Sequence, residues 1–187
     1  YSSIAHMGYL LIAVVASYVT IGGISVEAIS FYLVAYVVMS LGAFSILSVV
    51  SSSEHEINQV ADYQGLFWRS PWLATMLIAM LLSLAGIPLT VGFIGKFYIF
   101  FAGVESSLWV LLAALVIGSG IGLYYYLRIV YIIIQPLRTQ DKINFPVAGI
   151  ESLSSYFVIG LLFFMLILLG VYPSPLVTLI ESASSFI

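Results

Sequence analysis

The stretch LLSLAGIPLTVGFIGKF, residues 81–97, decides how this chain is to be read. It lies inside an apolar run from 72 to 101 in which Lys96 is the only acidic or basic side chain. As one continuous helix that run would measure about 45 Å, against a bilayer core of about 30 Å. It must therefore tilt or break. Pro88 has no N–H for the carbonyl four residues earlier and its ring clashes with that carbonyl, which loosens helix near Leu84. Gly86 lowers the cost of unwinding there. Two structures satisfy these residues. One is a proline kink in a continuous helix. The other is a discontinuous helix with carbonyls and amides exposed inside the membrane, the device by which transporters set backbone dipoles beside an ion path.

Lys96 favours the second. Residues 97–104, which separate it from Glu105, rise about 12 Å in a helix, further than a lysine stem reaches by snorkelling. Placing a lysine at the centre of a span costs about 2.5–3.5 kcal/mol. Such a group is kept either to pair with a neighbour or to carry protons, since burial and nearby charge tune its proton affinity. The plainer alternative is a lysine that snorkels and anchors the outer leaflet.

The rest of the chain places this stretch in a membrane. Hydrophobic residues make up 63% of the 187 residues and charged residues 7%, where an ordinary soluble domain has roughly 25% charged. A soluble enzyme or signalling module is excluded, and a net charge of −3 with five basic residues is too little for a nucleic-acid surface. Absence of cysteine excludes disulfides, cysteine-ligated zinc and iron–sulfur clusters in this chain, so no redox cofactor is expected in it. Five segments are long and apolar enough to span, at about 4–21, 28–50, 72–101, 108–134 and 156–171. Backbone amides in lipid must be paired internally, and the runs lack the alternation of barrel strands, so the spans are helices. The expected fold is all-α: a polytopic transmembrane bundle of about five helices, the third broken between Gly86 and Pro88.

A short turn at 22–25 joins the first two spans. The connection 51–71 holds apolar residues at loosely helical spacing (Ile57, Val60, Ala61, Leu66, Phe67, Trp68) that suit the interface. Pro173 and Pro175 precede a short amphipathic tail. Arg69, Arg138 and Lys142 fall in the connections at 51–71 and 135–155, with Arg128 approaching the same side, whereas the others hold only Glu27, Glu105 and Glu181. By the positive-inside rule those two loops and the residue-1 end are cytoplasmic and the C-terminus faces out. Residue 1 is tyrosine and no leader pattern follows, so the sequence is expected to be the C-terminal piece of a longer chain.

His6, just inside the first span, has an unperturbed pKa near 6.5 that suits a proton shuttle, and Ser2, Ser3 and Tyr9 bring hydroxyls close to it. A packed interfacial histidine is the alternative. His55 between Glu54 and Glu56 imitates a metal triplet, but adjacent residues do not converge on a helix, and no metal site is expected. Gly118-Ser119-Gly120-Ile121-Gly122 has the GxxxG spacing that permits close helix approach. It is no nucleotide loop, for no strand precedes it. Ser40-Leu41-Gly42-Ala43 offers a second small-residue face. Tyr124-Tyr125-Tyr126-Leu127-Arg128 reads as an interfacial aromatic belt whose hydroxyls also suit a wet path.

The motifs YSSIAHMGY (1–9), YQGLFW (63–68), LSLAGIP (82–88), GFIGKFY (92–98) and YYYLR (124–128) together resemble the antiporter-like, proton-pumping membrane subunits of respiratory complex I, nearest to the subunit N (mitochondrial subunit 2) type of NADH:quinone oxidoreductase. The resemblance runs in order from residue 1 to about 175. It implies a family fold with two inverted five-helix repeats, each with one broken helix, and a line of charged groups through the membrane centre. The chain would correspond to the last five helices. Lys96 matches the family's lysine on the second broken helix, and His6 a polar position on an earlier helix. The resemblance implies a bacterial inner-membrane location, other membrane and peripheral subunits as partners, and NADH, FMN, iron–sulfur clusters and quinone in those partners. The first repeat and the central lysine are missing, so the piece alone would not pump. The alternatives are a subunit of a multisubunit cation/proton antiporter and a purely structural membrane subunit.

Overall fold

The computed structural model describes residues 1–20, 23–51, 59–136 and 153–184. Its helices are α1 (Ser2–Val19), α2 (Gly23–Val50), α3 (Leu66–Arg69), α4 (Pro71–Ala85), α5 (Val91–Glu105), α6 (Trp109–Ile134), α7 (Leu153–Val171) and α8 (Ser174–Ser184). No strand occurs among the described residues. By length and apolarity, the helical segments Ser2–Val19, Ile24–Val50, Trp109–Ile134 and Ser154–Val171 can each cross a bilayer. The fifth crossing is the pair α4 and α5, about 22 Å each, joined by an unwound segment at 86–90.

Helix α2 is the hub, packing against α1, α4, α5, α7 and α8. Its outer side, with Leu33, Val37, Leu41 and Phe44, is exposed and apolar, as a face turned to lipid must be. Its buried Ala28, Tyr32, Ala35, Met39, Ala43, Ile46 and Val50 recur at steps of three and four, one face of a helix. Lipid tails are as apolar as leucine, so these contacts are held by close packing rather than by escape from water. Small residues permit the approach. A β-carbon on Gly42 would collide with Met80 of α4, and one on Gly95 would stand 2.8 Å from the Tyr32 ring.

The helix ends are tied in two groups. Trp68 Nε1 donates to the Ile134 carbonyl (3.0 Å) and Gln64 Nε2 to that of Pro136 (2.9 Å), which holds the connection before α4 against the end of α6. At the other end of the bundle, the hydroxyls of Thr20 and Ser106 lie 3.0 Å apart and Ser106 also donates to the Ala16 carbonyl. Arg69 therefore belongs to the α6 C-terminal end and Glu105 to the opposite end.

Several boundaries differ from the sequence reading. Helix α2 begins at Gly23, not near residue 28, so residues 23–25 are helical rather than turn and Glu27, past the first turn, lies within the helix. Helix α7 begins at Leu153, ahead of residue 156. Among its described residues, 59–70, the connection before α4 forms no continuous helix. A 3-10 turn (Val60–Tyr63) and the single turn of α3 flank Gly65, whose φ of 78° ends any regular run. The Glu54, His55 and Glu56 triplet, Ile57, Gly22, Arg138 and Lys142 lie outside the described residues. Of the GxxxG pair, Gly118 admits the Tyr9 side chain of α1, while Gly122 meets only Tyr126 of its own helix among the described residues, so one of the two glycines serves a helix approach.

Candidate functional site

The break is a genuine discontinuity, not a kink. Gly86 takes φ 82°, ψ 42°, the left-handed region, and closes α4 before the Pro88 ring could meet the Leu84 carbonyl. Ile87 N–H donates to the Leu82 carbonyl and Gly86 N–H to that of Ser83, the paired closure of a Schellman motif. On the far side Thr90 caps α5, its hydroxyl accepting from Phe93 N–H, and the fully buried Ser83 hydroxyl accepts from Gly92 N–H at 3.1 Å. A β-carbon on Gly92 would run into the Ser83 carbonyl, so the two half-helices touch backbone to backbone.

Two carbonyls at the end of α4 remain, and Lys96 takes both. Its Nζ donates to Leu84 O (3.2 Å) and Ala85 O (2.9 Å), and also to Ser119 Oγ of α6 (3.1 Å). Leu84 would ordinarily be served by the amide of residue 88, which Pro88 lacks. The last four carbonyls of α4, 82–85, are thus all paired inside the bundle, as a membrane interior demands. The side chain runs back toward the break, away from Glu105, and is 8% exposed. This follows from the N-terminal tilt of helical side chains. Lys96 is therefore no snorkelling anchor. Among the described residues its hydrogen-bond partners include no carboxylate. The negative end of the α4 dipole and the Tyr9 ring face, 5.5 Å from Nζ, compensate the charge.

His6 is also buried. Its Nδ1 lies 2.7 Å from the Tyr32 hydroxyl and its Nε2 3.3 Å from that of Tyr126, which in turn bonds Ser2 Oγ. The Tyr9 ring packs edge-on to it, with centroids 5.8 Å apart. A cavity of about 450 Å³ is lined by His6, Tyr9, Tyr126, Gly118 and Lys96. A second space, of about 290 Å³, is an open groove lined by the exposed Phe93, Phe97 and Val116 with Ser119 and Lys96 at its base. Lys96 is the residue common to both linings.

The model for the family described as "NADH:quinone oxidoreductase/Mrp antiporter, TM" matches residues 1–122. The chain belongs to this family. The matched part of this NADH:quinone oxidoreductase/Mrp antiporter family chain contains His6, the break, Lys96 and Ser119, while Tyr126 lies beyond it. The chain is 50% identical over 178 residues to NADH-quinone oxidoreductase subunit N of Methylococcus capsulatus, covering 95% of this chain and 35% of that one. It is 47% identical over 192 residues to the subunit N of Ectopseudomonas mendocina, covering 98% and 37%. A chain of respiratory complex I from Thermus thermophilus with bound aureothin superposes with a TM-score of 0.77 at 27% identity, over 95% of this chain and 38% of that one. The chain thus spans little more than a third of the length of the curated relatives it matches. As a family member with these helices it is a multi-pass membrane protein.

Sequence reasoning singled out Lys96 and His6, and the structure brings them to one cavity. It passed over three partners. Tyr32 is one of several hydroxyls in its span, beside Ser30, Tyr36 and Ser40, so nothing in the spacing set it apart. Ser119 stands in a stretch that reads only as close helix packing, and Gly86 reads only for its backbone. A β-carbon there would also stand 2.8 Å from Lys96 Nζ.

Proposed function

We propose that this chain is the C-terminal part, residues 1–187, of a proton-translocating antiporter-like membrane domain, and that the full subunit carries protons across a bacterial inner membrane within an NADH:quinone oxidoreductase. The observation that carries the reading is Lys96: a buried ammonium seated on the carbonyls of a broken helix, between an open groove and a cavity that also holds His6. The relatives named subunit N support the complex.

Lys96 is the group that takes up and releases the proton. His6, tied to two tyrosine hydroxyls, is a second relay member on the near side of the same cavity. NADH oxidation and quinone reduction, with FMN and iron–sulfur clusters, belong to other membrane and peripheral subunits. Their redox changes reach Lys96 as a change in the charge of its surroundings, a coupling between distant sites. The residue-1 end and the loops at 51–71 and 135–155 are cytoplasmic and the C-terminus is outside, a reading supported by the basic residues.

One observation favours a different role. The bonds from Nζ to Leu84 O and Ala85 O also make Lys96 a helix cap, so a purely structural lysine fits the same geometry. The reading is tested by NADH-driven proton uptake in inverted vesicles from cells with and without the full-length subunit. Uptake that requires the subunit, with flavin and iron–sulfur proteins co-purifying, supports it. Sodium/proton exchange without NADH dependence would assign the chain to the cation antiporters of the same family instead.

A further inference from the structure

The three partners of Lys96 are not chemically equivalent. An ammonium has three N–H donors, and here all three are engaged, by Leu84 O, Ala85 O and Ser119 Oγ. A backbone carbonyl only accepts and passes nothing on. A serine hydroxyl accepts and donates at once. Ser119 also lines the open groove of about 290 Å³ beyond Lys96, and it does not line the cavity that holds His6. The other groups facing the lysine are the Tyr9 ring from α1 and, across the first cavity, His6 and Tyr126. None of those is hydrogen-bonded to Nζ.

We infer that Ser119 is the relay through which Lys96 discharges its proton into the open groove. The inference rests on the reading of Lys96 as a proton carrier. An N–H bond of the ammonium breaks and an O–H bond forms on Ser119 Oγ, while the hydroxyl's original proton leaves to a water molecule in the groove. The electron pair stays on Nζ. The new O–H already points at that pair, so the neutral amine keeps two bonds to the carbonyls and accepts one from Ser119. No buried donor or acceptor is orphaned in either state, which matters where unpaired polar groups cost most. Neither carbonyl can replace the serine in this role, because it has no hydrogen to donate back.

The test compares Ser119→Ala, Ser119→Thr and Ser119→Val with Lys96→Ala in the full-length subunit within the intact complex. Protons moved per NADH oxidised, quinone reduction and complex content are read on the same vesicles. Threonine keeps the hydroxyl and valine has its shape without it, so that pair stays informative if alanine disturbs packing. Coupling that falls in the alanine and valine variants to the level of Lys96→Ala, and stays at wild type in the threonine variant, supports the relay. Wild-type coupling in Ser119→Val while Lys96→Ala is uncoupled overturns it and leaves the lysine reading intact. Wild-type coupling in Lys96→Ala removes that reading, and the relay with it.

Discussion

A β-carbon on Gly86 would stand 2.8 Å from the Nζ of Lys96, so the residue that ends α4 also leaves the space in which the ammonium sits. The two halves of the broken helix are designed around each other. Backbone conformation at one residue and side-chain position at another, ten residues on, share one small volume.

Gly86→Ala should therefore fail twice. The left-handed φ of 82° costs an L residue about 1–2 kcal/mol, and the methyl pushes Nζ off the carbonyls. Complex content and melting temperature should fall. Proton translocation per assembled complex should fall further, which separates the displaced ammonium from simple instability. A variant that loses content but keeps full coupling would show that Lys96 does not need its present seat.

Pro88→Ala tests the freed carbonyl. An alanine at 88 lets α4 continue through Gly86 and bring an N–H to Leu84 O, the acceptor that Lys96 holds at 3.2 Å. The new bond is worth about 0.5–1.5 kcal/mol, enough to compete. Assembly should be normal and coupling lower, measured as protons per NADH against complex content. Unchanged coupling would mean that the break survives without its proline, held by Gly86 alone.

Ser83→Ala removes the acceptor of Gly92 N–H in a site with no solvent to replace it. A buried donor left unpaired costs about 1–3 kcal/mol. Thr90→Ala, which removes the α5 cap, costs about 1 kcal/mol. Thermal unfolding of the detergent-solubilised complex should rank Ser83→Ala at least as destabilising as Thr90→Ala. The reverse order would place the weight on the cap rather than on the contact between half-helices.

Much of this arrangement was legible in the sequence. Gly86 and Pro88 announce a break through local chemistry, and Lys96 stands out because nothing else in its span is charged. What could not be read was where the lysine points. Its seat depends on Gly86 ten residues back and on Ser119 from another helix, and such pairings follow from tertiary packing rather than spacing. The same holds for Tyr32 and Tyr126, which reach His6 from different helices. The GxxxG pattern was informative in part: Gly118 admits Tyr9 of α1, while the close approaches around the break use Gly92 and Gly95, which stand in no such pattern.

The His6 cluster yields a graded prediction. Tyr32→Phe removes a buried hydroxyl 2.7 Å from Nδ1, whereas Tyr126→Phe removes one 3.3 Å from Nε2. The shorter, more deeply buried bond fixes the ring, so Tyr32→Phe should reduce coupling and stability more than Tyr126→Phe. Equal effects, or a larger one from Tyr126→Phe, would shift the relay role from the orientation of His6 to the Tyr126–Ser2 contact.

On the proposed function, Lys96 is the group that carries the proton. The most direct test is NADH-driven proton uptake by inverted vesicles bearing the full-length subunit, wild type against Lys96→Ala, with quinone reduction and complex content measured on the same samples. The expected result is fewer protons per NADH in the variant at normal complex content. Wild-type coupling in a fully assembled Lys96→Ala complex would contradict the claim and leave the lysine as the cap of α4.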